Sequence, residues 1–204
     1  MIPRHHPAAD ILASYAAGAL EPGFGLVVGA HLEGCTQCRG AVRAFEATSG
    51  EALSGLDDVA VGDDALSRVM ARIDETHTPV TADARPLLQR LQLKKKNWVA
   101  PGVWAAAVDT PHAPENRVYV LRIGAGLPAA RHQHSGAEFC TVLKGAYRDE
   151  LGLFSAGDFA AVEGDFSHRP KVEPYQECIC LFASEGRLKA VDAIGRLAFR
   201  LANV

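Results

Sequence analysis

Residues 126–145 read GLPAARHQHSGAEFCTVLKG, and the placement of His132, His134 and Glu138 in that stretch decides how the carboxyl-terminal half folds. On an extended strand His132 and His134 share parity and face one way. Ser135 and Gly136 suit a turn, after which Glu138 opens a second strand. Inside a small barrel these three side chains meet on one cation, and His168 from a later hairpin is the candidate fourth ligand. Imidazoles and a carboxylate also occur in polar barrels without metal, so the donors alone leave occupancy open.

The surroundings agree with a barrel. Residues 99–108, 117–123, 138–148, 158–162 and 177–183 alternate or run β-branched and aromatic between Gly, Pro and Asp turns. The apolar tail, 188–204, does not choose between helix and strand. Upstream the period changes. Ile11, Leu12, Tyr15, Ala16 and Leu20 recur at helical spacing, with Pro7 suited to a first turn. Pro22 can open a second helix stopping near Gly34, and a third is expected after Thr36. A loop is expected over 49–62. Asp63 or Asp64 can cap a fourth helix whose apolar stripe is Leu66, Val69, Met70 and Ile73. That stripe suits either a partner's groove or a four-helix core, and Met70 is expected to pack. The expected fold is therefore α + β in two domains. A small all-α unit occupies 1–78, a polar Pro-containing linker 79–90, and an all-β barrel 91–204.

Net charge is −3, but its halves differ. Residues 1–78 hold 11 acids and five bases, and the remainder 13 acids and 16 bases. An acidic helical unit is a poor nucleic-acid binder and a plausible partner for a basic protein; on charge alone a solvated acidic surface with no partner is an equal alternative. No 18-residue apolar run or signal-peptide pattern is present, so no membrane span and a cytoplasmic location are expected. Five cysteines, two in a CxxC, favour metal ligation or free thiols over a disulfide framework.

The second cluster is His31-x3-Cys35-x2-Cys38. His31 and Cys35 share a helix face, and Cys38 follows one turn later across a break at Gly34–Thr36. Three such donors converge readily on one Zn²⁺, and an upstream histidine closes the tetrahedron. His6 is the candidate and His5 the alternative, because adjacent residues cannot both point at one ion.

Arg4-His5-His6, Tyr15-Ala16-Ala17-Gly18 and the HxxxCxxC core resemble the zinc-binding anti-sigma domain of the ChrR type. The run G-x5-H-x-H-x3-E-x6-G resembles the first cupin motif, whereas the segment from Glu163 to His168 is a degenerate version of the second. ChrR-type proteins join these two units, so the resemblance spans nearly the whole chain. It implies a zinc domain that holds an extracytoplasmic-function sigma factor inactive. It also implies a jelly-roll cupin, holding zinc or another divalent metal, that is needed for the response to singlet oxygen or organic hydroperoxides. Such a protein is not an enzyme. A metal-dependent cupin dioxygenase or isomerase with a helical docking arm is the alternative, because three histidines and a glutamate on iron can be catalytic. A zinc-finger DNA binder is disfavoured, since no basic recognition helix follows Cys38. Three cysteines remain. Cys178 and Cys180 share a strand face, and Cys140 has the parity of Glu138; a thiol there is either an oxidation sensor or a small core hydrophobe.

Overall fold

In a computed structural model the described residues are 2–74, 86–110, 116–133, 136–164, 167–185 and 189–190. His134, most of the expected linker and the tail beyond Ala190 lie outside them.

Four helices form where the apolar spacing places them. α1 (Ala9–Ala16) buries Leu12 and starts after Pro7 rather than on it. Gly18, at φ +65°, turns the chain toward α2 (Pro22–Gly34), whose first position is the proline. Cys35 is extended and separates α2 from α3 (Thr36–Ser54), closing one helix and capping the next with its sulfur. α3 therefore takes in residues 49–54, which were expected to be loop. The Gly- and Ser-rich composition is overridden because an established helix adds residues cheaply, and Thr48 and Ser54 bond back to the carbonyls of Ala44 and Gly50. α4 (Ala65–Asp74) follows, and α5 (Leu87–Arg90) is a single turn inside the expected linker. Leu87, Leu88 and Leu91 around that turn pack against the core.

The β half begins with β1 (Asn97–Ala100) and β2 (Val103–Ala107), a hairpin turning at Gly102. β3 (Asn116–Ile123), β4 (His132–Gln133), β5 (Glu138–Lys144) and β6 (Ala146–Asp149) follow. β5 and β6 are separated at Gly145, φ +76°, where a Cβ would sit 2.2 Å from the Glu177 carbonyl oxygen; only glycine fits. The chain continues through β7 (Gly152–Ser155), β8 (Phe159–Val162), β9 (Ser167–His168) and β10 (Lys171–Val172) to β11 (Cys178–Glu185) and β12 (Lys189–Ala190). Among the described residues the main sheet runs β1-β2-β3-β11-β5-β8, with two smaller sheets, β10-β6-β7 and β12-β4-β9. An all-α half followed by an all-β half is thus what the chain forms.

The two halves share one core. Val27 and Val28 of α2 are fully buried beside Val118, Val120, Leu181 and Ala183 of the main sheet. Phe24 lies 4.5 Å from Phe139, ring centre to ring centre. The Thr141 hydroxyl donates to the Val27 carbonyl at 2.8 Å. Burying each such valine or phenylalanine contributes about 1.5–3 kcal/mol, so α2 is bound to the barrel as firmly as to its neighbouring helices.

Candidate metal centres

The α2–α3 junction gathers His31, Cys35 and Cys38, and the N-terminal segment delivers His6 to them; the four donor atoms lie within 4.8 Å of one another. His6 Nδ1 is 3.4 Å from both sulfurs, and His31 Nε2 is 3.3 Å from Cys38 Sγ. A tetrahedral zinc with bonds of about 2.3 Å to sulfur and about 2.05 Å to nitrogen sets such pairs about 3.6 Å apart, so the donor set fits that ion. The neighbouring His5 points the other way, its Nε2 3.1 Å from the Leu153 carbonyl and its ring on Phe154. Extended backbone alternates its side chains, which is why only one of the pair joins.

Burial lowers the His31 pKa, against the pull of the Gly157 carbonyl, which takes the Nδ1 proton at 2.7 Å. Nε2 is therefore the bare nitrogen. Burial and the adjacent Cys35 push the Cys38 thiol up to about 12 in the metal-free chain. A cation reverses that preference, since thiol ligands bind as thiolates.

The second cluster joins His132, Glu138 and His168, all buried. β4 pairs with β9 so that His132 lies opposite His168, and β5 brings Glu138 to the same interior. His132 Nδ1 faces the Ala130 carbonyl at 2.9 Å, and His168 Nδ1 faces Asp149 Oδ2 at 2.9 Å. Both Nδ1 atoms donate, so both Nε2 atoms are bare acceptors, yet they stand 2.9 Å apart. With the Glu138 carboxylate in the same interior, these nitrogens form a donor set that could hold a cation. Burial holds His132 down to about 4, which keeps its ring neutral, the form that can offer Nε2 to a cation.

Sequence reasoning singled out these candidate ligands but missed what supports them. The Tyr119 hydroxyl donates to Glu138 Oε2 at 3.1 Å. Burial raises the Glu138 carboxyl to about 8, with the Tyr119 bond opposing. Asp149 stays below the usual carboxylate range: burial opposes this, but bonds from His168 and the Leu151 amide prevail. Parity could have pointed to Tyr119, since Tyr119 pairs with Phe182, and Phe182 with Cys140. Ser184, buried and in register with Glu138, has a hydroxyl without a hydrogen-bond partner among the described residues.

Cys140, Cys178 and Cys180 are buried in the barrel interior. Burial raises the Cys140 pKa; the Cys180 bond and burial raise that of Cys178, and the Cys140 bond and burial raise that of Cys180, against the bond from Cys178. Cys178 and Cys180 both favour the protonated thiol, and their sulfurs lie 3.6 Å apart. No helix among the described residues is long and apolar enough to cross a membrane.

Residues 88–188 match the model of the ChrR cupin-like domain family. The anti-sigma-E factor ChrR of Cereibacter sphaeroides is 34% identical over 195 residues, covering 91% of this chain and 92% of that protein. In the crystal structure of Rhodobacter sphaeroides SigE in complex with the anti-sigma ChrR, a chain 34% identical covers 90% of this one, and all of itself, with a TM-score of 0.78. An RmlC-like cupin from Ralstonia eutropha aligns over 57% of this chain and 89% of its own, at 17% identity and a TM-score of 0.43. The likeness to ChrR thus runs through the helical knot, the shared core and the barrel together, and the chain belongs to the ChrR family of anti-sigma factors, regulators rather than enzymes.

Proposed function

We propose that this chain binds and inhibits an extracytoplasmic-function sigma factor in the cytoplasm through residues 1–78, with zinc held by His6, His31, Cys35 and Cys38. The cupin domain, 91–204 after a linker over 79–90, holds zinc or another divalent metal through His132, His134, Glu138 and His168. It senses an oxidant such as singlet oxygen or an organic hydroperoxide and promotes release of sigma. Bound zinc supplies a cross-link between the N-terminal segment and the α2–α3 junction, and the chain's own residues orient every donor toward it.

One observation carries the sigma-binding reading. The α4 stripe was compatible with an internal core, but Leu66, Val69, Met70 and Ile73 are 73, 55, 49 and 63% exposed. Leu53, Leu56, Val59 and Val61, on the approach to α4, are exposed as well. An apolar helical face of this extent is a groove-docking element without its groove, and the acidic domain around it suits a basic partner. The SigE complex of the relative points to the partner's class.

Co-expression with an extracytoplasmic-function sigma factor from the same genome tests this. A one-to-one complex that silences sigma-dependent transcription and dissociates on exposure to the oxidant is expected. Sigma that elutes separately from metal-replete protein, whichever such sigma is tried, would sink the proposal.

A further inference from the structure

We propose that the N-terminal metal knot is a two-domain site, in which the cupin loop 155–158 positions its imidazole half, Asp158 acting on His6 and Gly157 on His31. This rests on the reading that the knot holds zinc.

Asp158 is buried, 2% exposed, and among the described residues its carboxylate accepts from backbone amides alone. Oδ1 accepts from Arg4 N at 2.6 Å and His5 N at 3.0 Å, and Oδ2 accepts from Ser155 N at 2.7 Å. The two amides it takes from the N-terminal segment are those just before the ligand His6. Phe159 N, the next cupin amide, donates to the His5 carbonyl at 3.0 Å. The segment is thereby laid along the start of β8, and backbone alternation then turns His5 toward the barrel and His6 toward the sulfurs. Gly157, one residue earlier, accepts from His31 Nδ1 at 2.7 Å and so fixes which nitrogen faces the metal. Gly157 is at φ +92°, and a Cβ there would lie 3.0 Å from Pro3 Cγ, so the loop and the N-terminal segment are in van der Waals contact too.

The sulfur half is built differently. Cys35 N bonds to the His31 carbonyl and Cys38 N to Cys35 Sγ, both within the helical domain. One metal ion therefore joins thiols set by the helices to imidazoles set by the cupin. The loop is itself tied to β5, the strand that carries Glu138: Gly157 N donates to the Val142 carbonyl and Val142 N to that of Asp158. A change in the barrel that moved this loop would alter the zinc geometry without touching either cysteine. The rest of the interface, α2 on the sheet, does not depend on the loop, so loosening it need not part the domains.

The test uses the full-length chain loaded with Co²⁺, because only the cysteine-containing knot gives sulfur-to-cobalt charge-transfer absorption. Asp158→Ala is expected to speed loss of that band to a chelator by about 10–100-fold, with a shifted ligand-field spectrum, and Asp158→Asn, which keeps one acceptor, by less. The total cupin metal and the far-UV circular dichroism should match wild type. A lifetime within about twofold of wild type in folded Asp158→Ala overturns the inference. Should that variant fail to fold, the isosteric Asp158→Asn decides by the same criterion. If instead wild type shows no such band, or the band survives Cys35→Ala combined with Cys38→Ala, it is the zinc reading that fails.

Discussion

His168 Nδ1 donates to Asp149 Oδ2 at 2.9 Å, and both side chains are almost wholly enclosed. This pairing fixes the His168 tautomer and turns its Nε2 toward His132, so an aspartate on β6 orients a candidate metal ligand on β9.

Removing it should weaken the cupin site selectively. Asp149→Ala is expected to lower cupin metal affinity about 10–100-fold, read by competition with a fluorescent chelator, while the sulfur-to-cobalt band of the knot stays unchanged. Equal loss at both sites would contradict the assignment.

The buried carboxyl of Glu138 makes the metal-free cupin pH-sensitive. Its pKa rises from 4.5 to about 8, so the native state binds the proton that the unfolded state has already released. Stability is full below about pH 4.5 and falls as pH rises through 8. His132 acts at the other end: its pKa drops from 6.5 to about 4, and stability is lost as pH falls between those values. Urea unfolding of chelator-treated protein should show both slopes. Metal should abolish the alkaline one by neutralising the carboxylate.

Tyr119→Phe removes a hydrogen bond that favours the Glu138 anion. The proton then competes better with metal, and the pH midpoint of metal uptake should move upward, followed by titration at fixed metal concentration. An unmoved midpoint would show that the hydroxyl does not govern the carboxylate.

Exposed α4 should tolerate charge. Val69→Asp with Met70→Asp is expected to change unfolding free energy by less than about 1 kcal/mol, because neither side chain is buried, yet to abolish sigma capture. Thr141→Val tests the opposite surface. Losing the hydroxyl that bonds the Val27 carbonyl should cost about 1 kcal/mol by chemical denaturation, with sigma capture retained.

Much of this molecule was legible in its residues. The HxxxCxxC spacing, with an upstream histidine pair, announced a knot because its donors are close in sequence and helix geometry brings them to one point. That His132, Glu138 and His168 gather in one interior was legible because strand parity is strict, while His134, expected with them, lies outside the described residues. The choice of His6 over His5 also follows from alternation, but its direction needed the β8 backbone to set the phase. Residues 49–54 were misread as loop because composition says little about a helix already under way.

Taken alone, the order of amino acids determined which groups could bind metal, that helices precede strands, and that α4 carries an apolar stripe; each is a matter of local periodicity and donor chemistry. Tertiary structure decided where those surfaces go. α2 turns its valines into the sheet and α4 keeps its stripe outside, though both helices carry apolar residues enough to be buried. It also placed Asp158 against residues 4 and 5, a contact between positions more than 150 apart. Such pairings arise from the packing of whole elements, and local spacing contains no term for them.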